Sequence, residues 1–206
     1  MRLLISLGFC VAASAACAQS QNLPELFTVK DVAADDKLNI RLEPNPKADI
    51  VGHFEPSQSG IEVVAKSSDG AWSKVNSGEA SGWVASQFLE VQPNTWVSGQ
   101  SPENLTCVGT EPFWSVSTLK GALSFKTPDG GDQPWTEAKT IDRGFEGDRN
   151  RIILAKAGSE QVTAVIQPNQ CSDGMSDRSF GLSATLIFQG GENGPQAYYG
   201  CCSIAQ

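Results

Sequence analysis

The alternation of apolar and polar positions across residues 38–89 is the most regular pattern in the chain. Leu38, Ile40 and Leu42 alternate with Asn39, Arg41 and Glu43, the period of two that marks a half-buried strand. Pro44-Asn45-Pro46 ends that run. Further strands are predicted at Ile50-Val51-Gly52, where Ile61, Val63 and Ala65 alternate, through Trp72 and Val75, and at Gly82-Trp83-Val84-Ala85. Ser67-Ser68-Asp69-Gly70 and Asn76-Ser77-Gly78-Glu79 supply intervening turns, in which glycine takes positive φ at no steric cost. Five short strands with one apolar face each suit a small closed barrel, assigned to residues 25–91.

Residues 92–102 turn polar, with Gln92-Pro93-Asn94 and Gly99-Gln100-Ser101-Pro102, and read as a linker. A fresh set of strand patterns begins at Leu105. Strands are predicted over 114–120 and 123–126, joined through Gly121, and over 151–156 and 161–167, joined across Ala157-Gly158-Ser159-Glu160. Residues 180–188 and 197–204 complete the set. No segment shows convincing helical periodicity. The chain therefore reads as all-β, a small barrel followed by a second antiparallel β-barrel-like domain over 103–206.

Residues 1–18 change the picture of where this happens. A basic start at Arg2, an apolar run over 3–13 and the small-residue close Ala16-Cys17-Ala18 form the layout of a secretory signal peptide. The apolar run is too short to span a bilayer. Cleavage after Ala18 leaves Gln19 as the new N-terminus, and the expected location is periplasmic or secreted. The alternative is a lipid anchor at Cys17, against which Ser14 stands where an apolar residue is wanted.

Loss of the signal removes Cys10 and Cys17 and leaves Cys107, Cys171, Cys201 and Cys202, an even number for an oxidising compartment. Adjacent strand residues point to opposite faces, so Cys201 and Cys202 are expected to reach different partners, and Cys107 and Cys171 are the two available. A bridge from Cys107 to the last strand would staple first strand to last, with a contribution on the order of 4 kcal/mol. The other would pin the loop that starts at Cys171. With 15 basic against 23 acidic residues the net charge is −8, which disfavours nucleic acid and anionic lipid headgroups. No other long apolar run follows, so no transmembrane segment is expected in the mature chain.

Leu38-Asn39-Ile40-Arg41, Trp72-Ser73-Lys74-Val75, and Gly82-Trp83-Val84 followed by Phe88-Leu89 resemble the bacterial Src homology 3 (SH3b-like) domain. That family usually has a Gly-Pro pair after the arginine, where this chain has Glu43-Pro44. The resemblance implies a binding role without catalysis, for cell-wall peptides or envelope protein partners. Trp72 and Trp83 are the candidates for its ligand groove, with core packing as the competing reading. The lone histidine, His53, reads as a solvated residue at a strand turn.

In the second half, Cys107-Val108-Gly109-Thr110-Glu111-Pro112-Phe113-Trp114, Cys171-Ser172-Asp173-Gly174-Met175-Ser176-Asp177-Arg178 and Tyr199-Gly200-Cys201-Cys202 together resemble an uncharacterised family of bacterial exported proteins and lipoproteins. Asparagine often precedes the glutamate there, in place of Thr110, and one cysteine usually follows the last glycine. The resemblance groups these residues in one unit and implies no activity. A loop pinned at Cys171 brings Asp173, Met175, Ser176 and Asp177 together, with Glu111 and Trp114 as candidate neighbours. Three carboxylates beside a tryptophan suit a sugar, a cationic peptide or a hard cation. The competing reading is an Asp-Gly turn that caps backbone N–H groups, with Trp114 in the core.

Catalysis fares poorly on residue counting. A Cys-His hydrolase needs a free thiol and a nearby base, a serine triad needs a histidine in reach, and zinc needs uncommitted thiols or imidazoles. No cofactor and no metal are expected. The function expected is an exported, non-catalytic binding protein of the cell envelope. Two alternatives stand beside it: a peptidoglycan glycosidase using Glu111 with Asp173 or Asp177, and a periplasmic inhibitor whose acidic barrel blocks a basic lysozyme.

Overall fold

A computed structural model describes residues 22–119, 122–130, 133–191 and 194–205. The export-signal stretch, with Cys10 and Cys17, and the Lys120-Gly121 turn lie outside the described residues. The described chain is all-β, with a single 3-10 turn at Ser86–Phe88.

The first unit contains β1 (Glu25–Val29), β2 (Leu38–Arg41), β3 (Ile50–Phe54), β4 (Ile61–Val63), β5 (Ala65–Lys66), β6 (Trp72–Ser77), β7 (Ala80–Ala85) and β8 (Leu89–Val91). They form two sheets, β4-β1-β8 and β3-β2-β7-β6-β5. The Val64 N–H donates to the Lys74 carbonyl, so β4 and β5 are one bent strand that passes from one sheet to the other. Phe27, Val29, Leu38, Ile40, Ile61, Val63, Val75, Val84 and Leu89 close the core between them. Gly82 permits the β2–β7 contact: a Cβ there would stand 2.6 Å from Ile40 and 2.9 Å from the Arg41 carbonyl oxygen. The alternating pattern predicted five strands and missed β1. That strand lies in the middle of its sheet with both faces covered, so it shows no alternation to read.

The second unit contains β9 (Thr106–Thr110), β10 (Phe113–Leu119), β11 (Ala122–Lys126), β12 (Gln133–Ile141), β13 (Arg151–Ala157), β14 (Glu160–Gln167), β15 (Leu182–Gln189) and β16 (Gln196–Ser203). Every neighbouring pair is antiparallel, and β16 returns to pair with β9, so the eight strands make a closed up-and-down barrel. Inward residues such as Val116, Leu123, Ile153, Ala164, Leu182 and Leu186 fill it. Trp114, Phe125, Trp135, Phe188 and Tyr198 plug one end, with ring centroids 4.8–6.3 Å apart. The sequence pattern did not mark β12. Pro134 argues against an internal strand, and the run is mostly polar.

Both disulfides form as parity requires. Cys107 and Cys202 face each other across β9 and β16 inside the barrel, and Cys201, on the opposite face, reaches Cys171. The β9–β16 seam has three paired positions, against seven between β15 and β16. Covalent closure therefore falls on the shortest side of that strand. Such bridges belong to an oxidising, extracytoplasmic environment.

The two units share a joint. Leu26 of β1 joins the barrel cluster, while its neighbour Phe27 joins the first core. Arg149 pairs with Glu25 and donates to the Asn22 carbonyl, and Asn76 and Ser179 exchange two hydrogen bonds of 2.9 Å. Residues 92–102 connect the units and also strap one barrel end. The Trp96 indole donates to the Pro24 carbonyl, while Arg149 and Arg151 stack on its ring at 5.2 and 5.1 Å. Buried Arg151 donates to the Val97 and Gln100 carbonyls, and Asp142 accepts the Gly99 N–H.

Glu62 stands opposite Leu26 on the same face of the three-stranded sheet and is fully covered by the barrel's last residues. It accepts from the Ser203 hydroxyl, with the Ile204 and Ala205 N–H groups nearby, while its Oε1 has no hydrogen-bond partner. Burial, only partly offset by those donors and by Arg178, pushes its pKa from 4.5 up to about 7.

Two outcomes are expected. Cys107→Ala lowers unfolding free energy in urea by about 2–5 kcal/mol, and non-reducing peptide maps of the wild type show Cys107–Cys202 and Cys171–Cys201. For Glu62 the unfolded chain ionises first, so stability is greatest below pH 4.5 and falls as pH rises toward 7. Glu62→Gln removes that slope. Measured across this window, the variant gains on the order of 3 kcal/mol on the wild type.

Candidate functional site

Strand parity decides what each unit shows to its surroundings. In β6, Ser73 and Val75 are buried, which turns Trp72, Lys74 and Asn76 outward, and in β7 buried Gly82 and Val84 turn Ser81, Trp83 and Ala85 outward. Register then aligns them. Lys74 faces Trp83 across β6–β7, and Trp83 faces Arg41 across β2–β7. Directly opposed residues share a face. The outer surface of the five-stranded sheet thus carries a row Arg41–Trp83–Lys74, with Trp72 diagonal to Trp83.

Both tryptophans are half-buried and neither enters the first core. The Lys74 ammonium lies 6.0 Å from the Trp83 ring centre, within cation–π range, and Arg41 is fixed by donating to the Ala48 carbonyl at 2.7 Å. Sequence reasoning missed Arg41 and Lys74 as site residues, although each sits beside a residue it singled out. The signal available was register: a two-strand pairing would have placed a cation on either side of Trp83.

The other predicted constellation forms in part. The loop after Cys171 folds back so that the Asp173 carbonyl accepts from the Thr110 hydroxyl. Phe113, Trp114, Asp173, Met175 and Ser176 line one open groove of about 460 Å3, with Glu79 of the first unit at its border. Phe113 and Met175 are exposed there, at 52 and 67%. Glu111 and Asp177 are outside the lining, because Glu111 sits at the exposed tip of the β9–β10 hairpin and the Asp177 backbone bridges to Ala80. The expected triad of carboxylates is therefore not assembled.

Asp173 is occupied locally. Its carboxylate accepts the Met175 and Ser176 N–H groups and the Ser176 hydroxyl, the capping arrangement that competed with the binding reading. Burial works against the charge, but these donors and Arg178 outweigh it and hold the carboxyl below its usual range. Trp114 points inward and is 4% exposed. Its indole covers Gly109 and Gly200, where an added Cβ would stand 2.5 and 2.7 Å from ring carbons. The glycines of Val108-Gly109-Thr110 and Tyr199-Gly200-Cys201 are thus the floor of a core tryptophan.

His53 is exposed beside Lys37 and Glu55, as a solvated histidine should be. Among the described residues no group of three or more His, Cys, Asp or Glu is placed to hold a metal ion. Among them, too, no helix is long and apolar enough to cross a membrane.

Residues 36–90 match the family model of the bacterial SH3 domain, and this stretch of the chain is such a domain. No family match stands behind the resemblance drawn for the second unit's motifs. No curated protein matches the chain.

Stability losses of different size are expected for the two kinds of tryptophan. Trp114→Ala loses about 3–5 kcal/mol on urea unfolding through the core cavity it leaves. Trp83→Ala and Trp72→Ala each lose about 1 kcal/mol or less, as for surface positions.

Proposed function

We propose that the protein is an exported, non-catalytic binding protein of the bacterial cell envelope, in which the SH3 module docks a cell-wall, peptide or protein partner and the disulfide-closed barrel supports it. Three things favour this reading. The family match covers the module's strands from β2 to β8, two disulfides suit an oxidising compartment, and the 1–18 stretch has the layout of an export signal. The observation that carries it is the outward pair Trp72 and Trp83. Tryptophan side chains on an outward sheet face are common anchors of an interface.

The glycosidase alternative gains no support from the geometry. Its acid must hold a proton near neutrality, whereas the Asp173 carboxyl is held ionised by three donors, and Glu111 does not share its groove. Nothing observed favours the lysozyme-inhibitor reading.

The test is co-sedimentation of the purified mature protein with isolated peptidoglycan, paired with capture from envelope extract. Retention that falls at least about tenfold in Trp83→Ala, with no sugar released from the wall, is the expected result. Equal retention of wild type and variant would remove the module's tryptophans from the binding surface.

A further inference from the structure

We propose that the outer face of the five-stranded sheet is an anion-recognition site for a short peptide carrying two carboxylates, held by Arg41 and Lys74 on either side of Trp83. The inference rests on the reading of this module as a binding unit and adds the chemistry of what it binds. Neither cation belonged to the candidate site read from the sequence.

Charge is the first argument. The chain carries 23 acidic against 15 basic residues, yet this row places two cations around an indole on one sheet face. Among the described residues, no carboxylate lies within ion-pair distance of either Arg41 or Lys74. The nearest acidic side chain on the β5–β6 turn, Asp69, is engaged by the Ser67 hydroxyl and the Ala71 N–H. Two cations without a carboxylate partner on one face of an acidic protein favour an external anion there.

Spacing is the second. Arg41 and Lys74 stand on strands separated by one intervening strand, so their backbones are about 10 Å apart, two strand spacings. An extended peptide covers that distance in about three residues. A diacid of that length places one carboxylate at Arg41 and the other at the Lys74 ammonium, which stands over the Trp83 ring. The Arg41 fork suits bidentate contact with a planar carboxylate, and its single described bond, to Ala48, orients it and leaves donors over.

Room is the third. Toward the β6–β7 turn the same face is closed by the second unit, where Asn76 and Ser81 bind Ser179. What remains is the short row with Trp72 beside it. A short row closed at one end suits a short peptide better than the broad face of a folded acidic protein.

The experiment uses the full purified mature chain, with calorimetric titration of synthetic tetrapeptides bearing carboxylates at residues one and four, and the matching diamides. The diacid is expected to bind, the diamide to lose about 100-fold, and Arg41→Gln and Lys74→Gln to lose about tenfold each, with a smaller salt dependence in each variant. The diamide comparison is made on the wild type, so it does not depend on any variant folding. Equal binding of diacid and diamide, or unchanged affinity in both variants, overturns the inference and leaves the binding role intact. Retention on peptidoglycan through Trp83 with no affinity for either peptide overturns it likewise. Loss of every binding signal, on the wall and on peptides, brings down the binding role itself.

Discussion

The covalent seam between β9 and β16 is the constraint on which the rest of the molecule depends. An antiparallel barrel is stable only when its first and last strands meet, and here they meet over three paired positions. Cys107–Cys202 crosses that seam inside the core and closes a loop of 95 residues, a contribution of about 4–5 kcal/mol in the chain-entropy account. A barrel with an open seam would expose two unpaired strand edges. Closure also fixes the direction in which every residue of β16 points.

That direction organises the joint. Because Cys202 faces in, Cys201 faces out, where it pins the loop from Cys171 that carries Ser179 to Asn76 and Ser81. Ser203, next along the strand, meets Glu62. Three consecutive residues thus close one unit, hold its loop and dock it on the other. The buried carboxylate is the weakest element of this arrangement, since one of its oxygens has no hydrogen-bond partner and ionisation at that site is opposed by burial. The SH3 module is consequently held in one orientation, with β1 contributing Leu26 to the barrel core and Phe27 and Val29 to its own.

The outer face of the five-stranded sheet follows from the same rule of parity. Gly82 and Val84 turn inward to meet Ile40, so Trp83 must turn outward, and register sets Arg41 and Lys74 beside it. The motif phrases of the second unit have a different origin. Gly109 and Gly200 make room for the Trp114 ring, and Asp173 caps its own loop. Much of what seemed chemical in that unit is packing, while the groove between Phe113 and Met175 remains as its exposed apolar surface.

The sequence by itself determined the all-β class, the strand runs with clear alternation, the position of the SH3 module and the partition of the four distal cysteines, because each depends on local periodicity or on adjacent residues pointing apart. It could not disclose β1, which is covered on both faces, or β12, whose Pro134 and polar run mimic a loop. Which carboxylates meet, which tryptophans face outward and which cations flank them were decided only by the tertiary structure. Those are questions of register between strands far apart in the chain. A shift of one residue would have exchanged the buried and exposed faces, and only the closed barrel and packed joint select among the registers.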